Sequence, residues 1–215
     1  TAANADDSRL LRFPDLHGDT VTFVYAGDIY TAPVAGGPAR RLTSHEGMEL
    51  FPKFSPDGTQ IAFSAEYNGT RQVYVMPAEG GTPKQLTWYN DVGPMPPRGG
   101  FDYRVLDWTP DGEKILIRAN RTPFGQRVGR YYLVDPWNGG LETPLEIPEG
   151  ASGATYDASG QRLAYNVKSR EWRHWRHSSI TRIRAMGSGR SWRDCSMSSG
   201  QRITPPGSSS SGSCR

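Results

Sequence analysis

The sequence predicts an all-β fold, a β-propeller of four-stranded antiparallel blades, and three observations predict it. A hairpin signature recurs, with Phe54-Ser55-Pro56-Asp57-Gly58-Thr59-Gln60-Ile61-Ala62-Phe63 answered by Trp108-Thr109-Pro110-Asp111-Gly112-Glu113-Lys114-Ile115-Leu116-Ile117. A second element, an apolar strand followed by a Gly-Gly turn and a Leu-Thr ending, occurs twice, as Ile29 to Thr43 and as Val73 to Thr87. Finally, 25 Gly and 17 Pro argue against a helical bundle, because both residues disfavour helix interiors and mark turns. Six Trp, ten Tyr and seven Phe suit strands that bury one face.

The first unit runs from Leu10 to Thr43. It opens with an early copy of the hairpin, Leu16-His17-Gly18-Asp19-Thr20-Val21-Thr22-Phe23, continues through Ile29-Tyr30-Thr31-Ala32-Pro33, turns at Gly36-Gly37 and closes on Arg41-Leu42-Thr43. The second unit, Phe51 to Thr87, is the clearest and reads as strands at Lys53–Ser55, Gln60–Ala65, Gln72–Met76 and Thr82–Thr87. Its Pro-Asp-Gly turn supplies a fixed φ, a carboxylate that accepts from turn amides and a residue tolerant of positive φ. The flanking strands are thereby folded into a hairpin, and a period of two places Ile61 and Phe63 on one buried face. The third unit, Arg104 to Ile147, repeats the hairpin, then Tyr131-Tyr132-Leu133-Val134-Asp135 and Gly139-Gly140. A fourth begins near Ala154 with Tyr156-Asp157-Ala158-Ser159-Gly160 and continues to Trp175 and beyond. The aligned glycines Gly18, Gly58, Gly112 and Gly160 are 40, 54 and 48 residues apart, the spacing of propeller blades. A sandwich or meander with coincidental Asp-Gly turns is the alternative that three copies of a composite pattern disfavour.

Charge divides the chain. From Arg170 onward nine arginines face only Glu171 and Asp194, a balance of +7, so the overall +3 leaves −4 on residues 1–169. A mildly acidic body argues against nucleic acid as its partner. No apolar run approaches the roughly 20 residues that span a bilayer, which argues against a membrane partner. The two cysteines, Cys195 and Cys214, lie in the basic tail, so disulfides do not hold the body together. Residues 1–9 form a polar N-terminal segment whose small residues resemble the remainder of a cleaved leader, as an arbitrary fragment boundary also would; the expectation is export to the periplasm or beyond, with the cytoplasm as the alternative.

The motifs that carry chemistry are thin. His45-Glu46-Gly47-Met48-Glu49 lacks the second His of a zinc peptidase and reads as a polar loop between blades. His174 and His177 have no Cys or carboxylate pair to complete a metal set. Asp57 and Asp111 read as turn residues, Gly99-Gly100 lacks the Lys and helix of a phosphate loop, and no strained Gly-x-Ser-x-Gly elbow occurs. No residue is therefore assigned a catalytic, cofactor-binding or metal-ligating role, and no cofactor is expected. The connection from Trp88 to Tyr103, with Pro94, Pro96, Pro97, Gly99 and Gly100, is the longest and reads as a loop over one face, either a binding loop or a plain insertion.

Beyond Trp175 the periodicity fails. Residues 176–215 are rich in Arg, Ser and Gly and finish in Pro205-Pro206-Gly207 and a serine run. This tail reads as disordered, or as translation in a shifted frame from near Arg176; the functional alternative is an arm for RNA or an anionic surface, with arginines interleaved by Trp172, Trp175 and Trp192.

The repeat resembles the WD40-like repeats of TolB and of the prolyl oligopeptidase family. Phe13-Pro14-Asp15-Leu16-His17-Gly18-Asp19, Phe23-Val24-Tyr25-Ala26-Gly27-Asp28-Ile29-Tyr30, Phe51 through Thr87 and Val105-Leu106-Asp107-Trp108-Thr109-Pro110-Asp111-Gly112 are more closely similar to the opening of tricorn-type proteases. That resemblance covers roughly Leu10 to Trp175 and implies a six-bladed propeller of which about four blades are encoded here. It further implies a homo-oligomeric serine peptidase whose catalytic Ser and His lie in domains absent from this chain. The implied role is to guide or gate oligopeptides toward that catalytic domain, the alternative being a TolB-like scaffold for a protein partner. An open set of blades exposes apolar faces and strand edges, so the chain alone is expected to be marginally stable.

Overall fold

The computed structural model describes residues 10–88, 103–119, 129–147, 151–167, 180–186 and 192–196. They divide into two compact units, Thr1–Glu146 and Ile147–Arg215, and carry four four-stranded antiparallel sheets. Each sheet is an antiparallel meander in chain order. The first comprises β1 (Arg12–His17), β2 (Thr20–Tyr25), β3 (Asp28–Pro33) and β4 (Arg40–Arg41). The second comprises β5 (Glu49–Phe54), β6 (Gln60–Ala65), β7 (Gln72–Pro77) and β8 (Lys84–Gln85). The third comprises β9 (Arg104–Trp108), β10 (Ile115–Ala119), β11 (Arg130–Asp135) and β12 (Leu141–Leu145). In the second unit β13 (Ala151–Tyr156), β14 (Arg162–Val167), β15 (Ile180–Met186) and β16 (Trp192–Ser196) form the fourth.

The hairpins form where the turn chemistry puts them. In the second sheet Ser55 Oγ donates to Asp57 Oδ1 at 2.5 Å, and the same oxygen accepts from Thr59 N at 3.1 Å. In the third, Asp111 Oδ1 accepts from Thr109 Oγ1 at 2.5 Å and from Glu113 N at 3.0 Å. Gly58 stands at φ +72°, and a Cβ there would drive into the imidazole of His17 from the neighbouring sheet, so the turn glycine answers both to conformation and to the approach of the next blade.

Two clusters weld the first three sheets. Val24 and Ile29 of the first sheet pack on Ile61, Phe63, Ala65, Tyr74 and Met76 of the second. The opposite face of the second sheet, with Ala62, Val73 and Val75, packs on Val105, Ile115, Ile117 and Val134 of the third. Ile61, Phe63, Ile115 and Ile117 are wholly buried, each worth roughly 1.5–3 kcal/mol of hydrophobic stabilisation. Both faces of β6 and β7 are thus covered, which is why nearly every residue of these strands is buried, beyond the one face that alternation predicts.

Three boundaries differ from the sequence reading. The first strand of the second sheet starts at Glu49, inside the stretch that reads as a polar loop, because Glu49 N already donates to Gly27 O of the first sheet at 2.8 Å. The outer strand read as Thr82–Thr87 is regular only at Lys84–Gln85. In the fourth sheet, β15 and β16 lie beyond Trp175, within the segment that reads as tail. Strand pairing there uses backbone groups, with Leu163 opposite Arg184 and Ile183 opposite Cys195, and does not require the side-chain alternation that fails after Trp175.

Candidate functional site

The first strands β1, β5 and β9 lie side by side, so residues from three blades meet along one line. Phe13 and Phe51 occupy matching places there. Each precedes a proline, each adopts positive φ (+53° and +57°), and each sits where the register to the next strand slips, between Arg12 and Asp15 and between Leu50 and Lys53. A phenylalanine in this backbone region costs on the order of 1–2 kcal/mol, and a bulge re-aims the side chain it carries. The strain brings the two rings together with centroids 4.3 Å apart, and the Arg104 guanidinium lies 4.5 Å from the centroid of the Phe51 ring.

Polar bonds hold this line in register. Lys53 Nζ donates to Asp15 Oδ1 at 2.6 Å and Phe54 N to Asp15 Oδ2 at 2.9 Å, linking the first and second blades. Trp108 Nε1 donates to Lys53 O at 3.0 Å, and Ser64 Oγ to Tyr103 O at 2.6 Å, linking the second and third. Arg104 faces Arg118 across the β9–β10 pair, and Arg118 faces Tyr131 across β10–β11. Burial, with the Arg118 charge in second place, lowers the pKa of Arg104; burial pushes that of Tyr131 up to about 12, against the pull of both arginines.

A second polar knot lies between the first two blades. Glu49 is fully buried and accepts from Tyr67 Oη at 2.5 Å, from Ile29 N at 3.1 Å and from the Thr43 hydroxyl. Thr43 Oγ1 in turn accepts from Ile29 N at 2.9 Å. The next blade repeats the device without a charge: Thr87 Oγ1 accepts from Val73 N at 2.9 Å and donates to Gln72 Oε1 at 2.7 Å. Burial raises the Glu49 pKa and outweighs its three donors, while burial and the adjoining carboxylate raise that of Tyr67.

The sequence candidates fall as follows. Asp57 and Asp111 are turn residues. The Ser55 hydroxyl, with Thr59, holds the Asp57 pKa down at about 2. His45 is exposed, accepts from Gly47 N at 2.8 Å and packs its ring 4.2 Å from that of Tyr67. Glu49, read with it as loop, is corrected to a buried strand residue, because the backbone and hydroxyl donors around it make burial of a carboxylate tolerable. Its signal was present in the paired endings Leu42-Thr43 and Leu86-Thr87, whose hydroxyls both take up a buried backbone amide. His174, His177 and Gly99-Gly100 lie outside the described residues, as do residues 89–102 of the long connection. Among the described residues no three His, Cys, Asp or Glu side chains are grouped to hold a metal ion, and no helix is long and apolar enough to cross a membrane.

Four-stranded meanders welded face to face, with their first strands gathered along one line, define this as a β-propeller-type scaffold. Comparison with known proteins narrows the class. The family model described as the tricorn protease N-terminal beta propeller domain matches residues 8–194, and the chain belongs to that family. Tricorn protease homolog 1 of Streptomyces coelicolor is 31% identical over 186 residues, 86% of this chain and 16% of the homologue, so the chain spans about a sixth of that relative's length. The crystal structure of the tricorn protease superposes with a TM-score of 0.64 at 23% identity, covering 88% of this chain and 18% of that one. A putative TolB from Agrobacterium tumefaciens gives a TM-score of 0.63 at 23% identity, covering 82% of this chain and 58% of that one. At such identities the two structures share the fold with this chain.

Proposed function

We propose that this chain is the non-catalytic propeller portion of a tricorn-like serine peptidase and that it guides or gates oligopeptides toward a catalytic domain encoded outside it. The observation that carries the reading is the line of Phe13, Phe51 and Arg104 on the first strands, where backbone strain is spent to gather two rings and a cation from three blades. The half-buried Phe13, seated on the buried Phe51, offers an aromatic surface to apolar peptide side chains, and the Arg104 guanidinium donates to peptide carbonyls or carboxylates. Membership of the family supports the same reading, which extends to a homo-oligomeric parent. Fluorescence anisotropy of labelled oligopeptides with the full chain tests it: saturable binding that weakens in Arg104→Ala is expected, and binding indifferent to that change would overturn it.

The likeness to TolB favours a second reading, a scaffold for a folded protein partner without a peptidase domain. The gene region downstream separates the two. A reading frame for a serine peptidase domain supports the first, and its absence supports the second.

A further inference from the structure

The chain contains two Asn-Gly pairs, Asn68-Gly69 and Asn138-Gly139. Asparagine before glycine is chemically special, since the following backbone nitrogen meets no Cβ as it approaches the side-chain carboxamide. The structure holds the two pairs differently. Asn138 is clamped by one carboxylate, Asp135 Oδ1 accepting from its backbone N at 3.0 Å and Oδ2 from its Nδ2 at 2.8 Å. Backbone and side chain are therefore fixed against each other, and the carboxamide carbon is not free to swing toward Gly139 N.

Asn68 has no such clamp among the described residues. It is exposed, in the connection 66–71 between β6 and β7, and its Nδ2 donates across to Gln85 Oε1 at 3.1 Å. That contact and a hydrogen bond with the Tyr74 hydroxyl tie the end of the side chain to neighbouring strands, and neither ties it to its own backbone as Asp135 ties Asn138. Gly69 stands at φ +83°, with no described atom within 4 Å of the place a Cβ would take, and its N is a donor in none of the turn hydrogen bonds among the described residues.

We propose that Asn68 is a self-modification site that converts to aspartate and isoaspartate, while Asn138 is protected. Gly69 N gives up its proton to solvent base and forms a bond to Asn68 Cγ. The Cγ–Nδ2 bond breaks, and ammonia leaves with that proton. One water then opens the resulting succinimide at either carbonyl, so the net change is amide plus water to carboxylate plus ammonium, with no oxidation or reduction. The product places a carboxylate against Gln85 Oε1, an acceptor that also takes the Tyr74 hydroxyl at 3.2 Å, and so removes a tie between the β6–β7 connection and the edge strand β8.

Incubation of the full chain at neutral and mildly alkaline pH, followed by peptide mapping and an isoaspartate assay, tests this. Asn68 is expected to convert faster at the higher pH, with Asn138 roughly tenfold slower, the equivalent of one net hydrogen bond of restraint. Asn68→Gln should leave only the slower Asn138 signal, and Asp135→Ala should raise conversion at Asn138 toward that of Asn68. Equal rates at the two pairs in the unaltered chain, or an Asn68 that stays intact, would overturn the proposal without recourse to either variant.

Discussion

Asp15 of the first blade and Lys53 of the second meet at 2.6 Å, and each is the residue that follows a Phe-Pro pair. The two bulges that aim Phe13 and Phe51 at each other therefore also deliver an acid and a base to the same seam. Asp15 does more than pair with a cation, since its second oxygen receives Phe54 N at 2.9 Å. Asp15→Ala strands that amide and is expected to cost about 1–3 kcal/mol, whereas Lys53→Ala, whose partner keeps a donor, should cost about 1 kcal/mol or less. Chemical denaturation of both single variants and the double variant measures the difference.

Trp108→Phe isolates a single bond. The indole nitrogen reaches Lys53 O from a side chain that is 2% exposed, and phenylalanine retains most of the apolar contact while leaving that carbonyl without its donor. A loss of about 1–3 kcal/mol is expected, from the missing bond and the smaller ring together, with fluorescence-monitored unfolding as the measurement.

Gly58→Ala should destabilise the chain by two separable effects. Positive φ costs about 1 kcal/mol for alanine, and the new methyl group collides with His17. In a His17→Ala background the collision is relieved and the conformational part remains, so the double variant should fall short of additivity. Additive losses in thermal unfolding would show that the two blades do not press together at this turn.

Glu49 makes stability depend on pH in an unusual direction for a carboxylate. Its folded pKa is raised above the ordinary 4.5, so between those values the folded chain binds more protons than the unfolded chain. The Glu49 contribution therefore improves as pH falls from above the folded pKa to 4.5, and it stays constant below that. Glu49→Gln keeps one acceptor oxygen where two carboxylate oxygens served Tyr67 and Ile29, and it removes the proton linkage. The unfolding free energy of the unaltered chain minus that of the variant should rise as pH falls through this window and stay flat below it. Asp57 acts oppositely, its contribution fading as pH drops toward its folded value of about 2, which is why the comparison must be made between variants and not on the whole curve.

What could be read from residues alone was whatever short-range chemistry decides. Pro56-Asp57-Gly58 and Pro110-Asp111-Gly112 close hairpins through bonds spanning two to five residues, and Ile61 and Phe63 reach a buried face through an alternation that needs no knowledge of the partner sheet. The ends of elements were harder. Glu49 looks like loop because a charged residue is rarely buried, and its burial depends on Ile29 and Thr43 of another blade, which only folding brings within reach. Phe13 and Phe51, Asp15 and Lys53, and Lys53 and Trp108 are likewise joined across blades. The sequence by itself determined the repeat, its turns and the family. Which faces meet, which carboxylate is enclosed and which rings are forced together was decided by tertiary packing, because those energies arise between segments that local propensity cannot couple.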